Sequence, residues 1–137
     1  MAPLRPLDGI RVLDFTRHMA GPYAALALSD YGADVIKVES VGSGDPSRRT
    51  GVDFMGDQST LFLIWNRGKR SIAVDMRRPE GLQAILDLVP TVDVVLENYR
   101  PGQADRYGIG YEALSALNER LVYCSISAFG QEGPLAP

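Results

Sequence analysis

Short apolar, β-branched runs begin at about residues 10, 34, 71, 92 and 121, and stretches of helical character alternate with them. Strands that alternate with helices build parallel sheets, so this order predicts an open parallel α/β sheet with right-handed crossovers. Ligands of such sheets sit at the carboxyl ends of the strands. The first run shows the pattern locally. Ile10 to Phe15 reads as a buried strand feeding a tight turn, and Pro22 reads as a first-turn helix residue, where a missing N–H is tolerated. The segment from Asp14 to Gly21 is therefore the first candidate for a binding edge.

Beyond Pro22, small and apolar residues to Tyr31 favour a helix that packs closely on a sheet, and Gly32 supplies the residue just past its end. Ala33 to Glu39 is the second strand. From Ser40 to Thr60 the apolar period disappears, which predicts a long functional loop that folds over a ligand or reaches a partner chain. Ser59 to Trp65 reads as a short apolar helix. Asn66-Arg67-Gly68-Lys69-Arg70 then gathers three cations around one glycine, ahead of a strand from Ser71 to Met76. In an acidic chain such a cluster is a candidate anion site, although the commoner reading is a solvated turn.

A helix opening near Arg77 places Leu82, Ile85, Leu86 and Val89 on one face and stops at Pro90. Val92 to Asn98 is a strand, Tyr99-Arg100-Pro101-Gly102 a turn, and Gln103 to Tyr107 a helical piece closed by Gly108. A helix from Tyr111 to Leu117 turns Leu114 and Leu117 to the core, and Leu121 to Ile126 is the last strand. A glycine-rich exit loop follows, and the sequence ends at Pro137 with no helix to cover that strand. A parallel sheet needs both faces covered, so the predicted sheet is incomplete and the chain reads as a piece of a longer protein.

Composition narrows the classes of function. A formal net charge of −3 argues against non-specific nucleic-acid binding. The apolar share of 45% and charged share of 23% are those of a globular domain with no membrane-spanning run, and Met1 to Pro6 lacks an apolar leader segment, which together predict a cytoplasmic protein. The single Cys124 excludes an internal disulfide and a cysteine-rich metal site, and its apolar run predicts a buried, inert thiol. No metal-ligand cluster is visible. Gly21 is the only glycine between Asp14 and Pro22, so the Gly-x-Gly-x-x-Gly turn of a dinucleotide site is missing. His18, the only histidine, is a possible proton carrier on the strand-exit loop, but a lone histidine more often lines a pocket. No serine sits in a Gly-x-Ser-x-Gly elbow.

Pro6 to Thr16, Ala20-Gly21-Pro22, Gly32 to Glu39, Gly44-Asp45, Asn66 to Ile72, Glu97 to Gly102, and Phe129-Gly130-Gln131-Glu132-Gly133-Pro134 are separate motifs spread along the chain. In this order they resemble the amino-terminal part of the class III CoA-transferases, the CaiB/BaiF family. The resemblance implies a Rossmann-like open parallel sheet with helices on both faces, in which residues 1–137 form the amino-terminal, CoA-binding part of a larger α/β domain. It implies transfer of coenzyme A from an acyl-CoA donor to a carboxylic acid acceptor, with coenzyme A or acyl-CoA as substrate, no tightly bound cofactor and a homodimeric full-length protein. On matching positions it implies coenzyme contacts at His18, Met19, Val74, Arg77, Asn98, Tyr99 and Arg106.

This chain departs from the family in two ways. Ser40 stands where some members carry an arginine, so a phosphate contact is missing or comes from Arg48, Arg49 or Lys69. The family's aspartate nucleophile lies beyond the Phe129 to Pro134 loop, so no catalytic residue is assigned here and the fragment is expected to be inactive alone. Asp14, Asp75 and Glu97 read instead as strand-end hydrogen-bonding residues. Alternative readings are a stand-alone CoA or nucleotide-binding module, a 2-methylacyl-CoA racemase in the full-length protein, or a structural piece that folds with a partner.

Overall fold

The structure, a computed structural model, describes residues 5–136. Met1 to Leu4, on which the expectation about a leader segment falls, and Pro137 lie outside the described residues. Five strands form one sheet: β1 (Arg11–Asp14), β2 (Asp34–Glu39), β5 (Arg70–Ala73), β6 (Val94–Glu97) and β7 (Val122–Ser125). Their order is β5-β2-β1-β6-β7 and every pairing is parallel, as the strand–helix alternation predicts. The chain winds outward from β1 first to one side and then to the other. The exits of β1 and β6 therefore flank a switch point, where open α/β sheets hold ligands.

Side-chain alternation along these strands feeds two cores. Leu13, Ile36, Val38 and Val95 face one way and meet Ile85 of α3 (Pro79–Leu88) together with Val89, Ile109 and Leu114. Val12, Val35 and Leu96 face the other way beneath Ala25 of α1 (Ala20–Asp30), with Leu28 packed alongside. Gly21, Ala25 and Leu26 are the buried side of α1, so small side chains let the helix approach the sheet closely. Each fully buried large side chain contributes roughly 1.5–3 kcal/mol. The remaining helices are α2 (Thr60–Asn66), α4 (Gln103–Arg106) and α5 (Tyr111–Ser115).

Three local expectations change. The segment from Ser40 to Thr60 is not one loop: it carries a short 3₁₀ turn (Pro46–Arg49) and a hairpin of β3 (Phe54–Met55) with β4 (Gln58–Ser59). Asp45 accepts from Ser47 N at 2.8 Å and starts the turn, and Gly56 takes a φ of +64° at the hairpin bend. Polar capping and glycine shape this segment, so apolar periodicity gave no sign of it. Leu117 is 46% exposed, because α5 ends at Ser115 and the chain tightens, Leu117 N donating to Leu114 O. Cys124 is only half-buried, on the α1 side of β7.

Gly81 marks the tightest approach of a helix to a strand exit. A Cβ there would lie 2.2 Å from the carbonyl oxygen of Asp75. Gly81→Ala is expected to lower stability by ~1–3 kcal/mol, the usual cost of overpacking, read as a lower urea midpoint at unchanged slope.

Candidate functional site

The turn after β1 is held by side chains from four places in the sequence. Asp14 Oδ1 accepts from Thr16 N at 2.9 Å and from the Thr16 hydroxyl. Thr16 O accepts from Lys37 Nζ at 2.8 Å, a bond reaching across from β2. Arg17 N donates to Asn98 Oδ1 at 2.8 Å while Asn98 Nδ2 donates to Arg17 O at 2.9 Å. His18 N donates to Asp45 Oδ1 at 3.2 Å. Backbone groups from Thr16 N to His18 N are thus bonded to side chains, and none of these bonds belongs to a sheet ladder. His18 has a φ of +66° and is the one non-glycine residue with positive φ among the described residues. That conformation costs of order 1–2 kcal/mol for a side chain with a Cβ.

Buried charge supports the turn from below. Lys69, with 1% of its side chain exposed, donates to Asp14 Oδ2, Pro22 O and Asn66 Oδ1, each at 2.9 Å, so its three N–H groups are all occupied. Burial lowers the Lys69 pKa, against the raising effect of Asp14. Lys37 Nζ lies 2.8 Å from Asp45 Oδ2, and both side chains are 1% exposed. The contact lacks hydrogen-bond angles and is an ion pair; Oδ2 has no hydrogen-bond partner. Burial pushes Asp45 up, but Lys37 and the Ser47 bonds outweigh it and hold the carboxyl below its ordinary range.

Two cavities open at the strand ends on either side of this turn. One, of about 260 Å³, is lined by Arg17, Ser40, Ser43, Val74, Arg77 and Tyr107 among others. The second, of about 420 Å³, is lined by Asn98, Tyr99, Arg100, Pro101, Ile126 and Phe129 among others. Val74 and Arg77 thus share one cavity, and Asn98 and Tyr99 the other. His18 and Met19 are exposed on the turn between them and line neither. Arg106 is exposed on α4, its Nε donating to Gly102 O at 3.4 Å, and also lines neither cavity. Among the described residues no group of three or more histidine, cysteine, aspartate or glutamate side chains is placed to hold a metal.

Arg17 is the residue that sequence reasoning passed over. Its Nη2 donates to Ser40 Oγ at 3.2 Å, and its guanidinium stands 5.3 Å from the centre of the Tyr99 ring. Its position beside His18, in the turn already singled out, was the available signal. Arg77 reaches Asp75 through Nε at 2.8 Å, and this contact holds the Asp75 carboxyl below its ordinary range.

The cation cluster is not an anion site. Arg67 pairs with Asp30 at 2.6 Å, Arg70 with Asp34 at 2.6 Å, and Lys69 is fully spent on Asp14 and its neighbours. Of the three cations considered as substitutes near Ser40, Lys69 is thereby occupied and so is Arg48, which grips Glu39 through Nε at 2.7 Å and Nη2 at 2.6 Å and lies 3.7 Å from the centre of the Phe62 ring. Arg49 stays exposed, with a 3.3 Å bond to Gly42 O. These side chains find acids from distant segments, which spacing along the sequence does not reveal.

The profile of CoA-transferase family III matches residues 7–137. The succinyl-CoA:glutarate CoA-transferase of Homo sapiens is 45% identical over 136 residues, covering 99% of this chain and 31% of the human protein. The acetyl-CoA:oxalate CoA-transferase of Acetobacter aceti is 47% identical over 135 residues, covering 98% of this chain and 34% of that protein. Among solved structures, a CaiB/BaiF family protein from Brucella suis superposes with a TM-score of 0.90 at 46% identity, covering 98% of this chain and 36% of that one. The chain spans about a third of the length of the curated relatives it matches. No helix among the described residues is long and apolar enough to cross a membrane.

Glu39, at the carboxyl end of β2, makes the electrostatics testable. Burial pushes its pKa up, but bonds from Arg48, Ser71 and Asp45 N outweigh this and hold it at about 2, from an ordinary 4.5. A carboxylate whose folded pKa is depressed contributes stability that is complete above pH 4.5 and lost as pH falls toward 2. The shift is worth ~3 kcal/mol, since its side chain is only 4% exposed. Glu39→Gln is expected to be less stable than the unsubstituted chain at pH 7, with the gap narrowing between pH 4.5 and 2, as followed by urea midpoints across that range.

Proposed function

The chain belongs to CoA-transferase family III, and from that premise we propose that it binds the coenzyme A part of an acyl-CoA across the switch point, as the amino-terminal portion of a larger α/β domain. The observation that carries this reading is the pair of unlike cavities beside one pinned turn. Arg17 and Arg77 line the first, which suits the phosphorylated nucleotide end of the coenzyme. Tyr99, Ile126 and Phe129 give the second an apolar wall, with Arg100 as its one charged lining residue, which suits the uncharged pantetheine arm and its thioester. His18 and Met19 on the exposed turn contact the coenzyme as it passes from one to the other, with Val74 and Asn98 as walls. Arg106 meets the coenzyme from α4.

In the full-length protein the reaction is transfer of CoA from an acyl-CoA to a free carboxylate. The relatives' names support this, since each couples a CoA thioester donor to an acid acceptor: succinyl-CoA to glutarate in one, acetyl-CoA to oxalate in another. In the proposed route an aspartate carboxylate attacks the thioester carbonyl and CoA leaves as the thiolate, giving a mixed anhydride. The thiolate attacks its aspartyl carbonyl, releasing the donor acid and leaving an aspartyl-CoA thioester. The acceptor carboxylate attacks that thioester and expels the thiolate, which then attacks the acceptor carbonyl of the second anhydride to give the new acyl-CoA and free aspartate. The family resemblance implies a nucleophile beyond the Phe129 to Pro134 loop, and binding without turnover by the 137 residues alone belongs to the same proposal; the buried Asp14, Glu39, Asp45 and Glu97 are engaged in hydrogen bonds or ion pairs, which suits structural roles. A cytoplasmic location and a homodimer for the full-length protein belong to the same reading.

Arg17→Ala tests it by calorimetry with CoA and with 3′-dephospho-CoA. Charge-assisted bonds contribute roughly 1.5–3 kcal/mol, so CoA affinity should fall at least tenfold in this variant. Arg106→Ala reports whether the nucleotide extends to α4. Absence of saturable CoA binding, or unchanged affinity in Arg17→Ala, overturns the assignment.

A further inference from the structure

We propose that Asp45, neutralised by Lys37, is a positioning residue that holds His18 in its left-handed conformation and so presets the turn at residues 16–18 before a ligand arrives. The inference rests on the coenzyme reading only for its functional consequence. Its structural content stands on the ion pair and the strained residue themselves.

The pair holds both ends of the turn. Lys37 Nζ donates to Thr16 O at 2.8 Å, and Asp45 Oδ1 accepts from His18 N at 3.2 Å. The same Oδ1 accepts from Ser47 N and Ser47 Oγ, each at 2.8 Å, which fixes the carboxylate relative to its own loop. Asp45 N in turn donates to Glu39 Oε2 at 2.8 Å, tying that loop to the end of β2. An ion pair this deeply buried is expensive to desolvate, and a well-packed apolar pair of the same volume is commonly as stable or more so. Stability is therefore a weak reason for charge here. The backbone groups at Thr16 and His18 supply a stronger one, because an apolar pair gives neither an acceptor for His18 N nor a donor for Thr16 O. His18 is also the one described non-glycine residue whose φ is positive, so it is the residue that most needs an external hold.

Asp45 lines neither of the two cavities beside the turn, so any effect it has on binding there is indirect.

The 137-residue chain is compared with two paired substitutions, Lys37→Met with Asp45→Asn, and Lys37→Met with Asp45→Ala. Both remove the two charges together, which avoids leaving one buried and unpaired. Only the asparagine pair retains an oxygen that can accept from His18 N. His18 amide exchange and its Cα and Cβ shifts are read by NMR, CoA affinity by calorimetry, and stability by thermal melting. Expected are native-like His18 signals in the asparagine pair; in the alanine pair, at least tenfold faster His18 exchange and at least tenfold weaker CoA binding, in a chain that still melts cooperatively. Unchanged His18 shifts and exchange in the alanine pair overturn the proposal. The unsubstituted chain supplies a check that needs no variant: a His18 amide that exchanges as fast as that of Val52, 93% exposed, also overturns it. If His18 responds as expected but the unsubstituted chain binds no CoA, positioning stands and the coenzyme reading fails.

Discussion

Two lysines buried at the carboxyl end of the sheet are the constraint on which the rest depends. Lys37, on β2, and Lys69, in the turn just before β5, reach the turn after β1 from different segments, and each meets an aspartate there. A buried ammonium is tolerable only when its hydrogens and its charge are both answered. Lys69 achieves this with one carboxylate and two further oxygens. Lys37 has the Asp45 carboxylate for its charge and the carbonyl of Thr16 for one of its hydrogens. The order of strands follows the same logic, since β2 and β5 must lie on one side of β1 for these side chains to arrive at one place.

Rigid support of this kind suits a binding edge. Preorganised backbone reduces what a ligand must lose in conformational freedom when it docks. The exposed residues of the turn, His18 and Met19, contribute little to the core and are held entirely by what lies beneath them. The division of labour is spatial: charge that faces inward organises the turn, while Arg17 and Arg77 face the cavity.

The main sheet was legible because β-branched runs and glycine-closed helices are local signals. Ile10 to Phe15 and Val92 to Asn98 bracket the observed strands, and Gly32 takes the positive φ that its place past α1 requires. The hairpin between Phe54 and Ser59 was not legible, because two-residue strands have too little alternation to register. The partners of the cations were equally hidden. Arg67, Lys69 and Arg70 look alike in sequence, yet one is buried and the other two lie at the surface, each with an acid at least 36 residues away. Arg17 was missed for the opposite reason, since nothing in the sequence marks which of two neighbouring residues in a turn faces a cavity.

The reciprocal pair of bonds between Asn98 and Arg17 has a consequence for shape. It fastens the exit of β6 to the exit of β1, and each of the two residues lines a different cavity. The fastening is a fixed partition between them. A long ligand that occupied both would have to arch over it, and a stiff, straight one of the same length would not fit both at once.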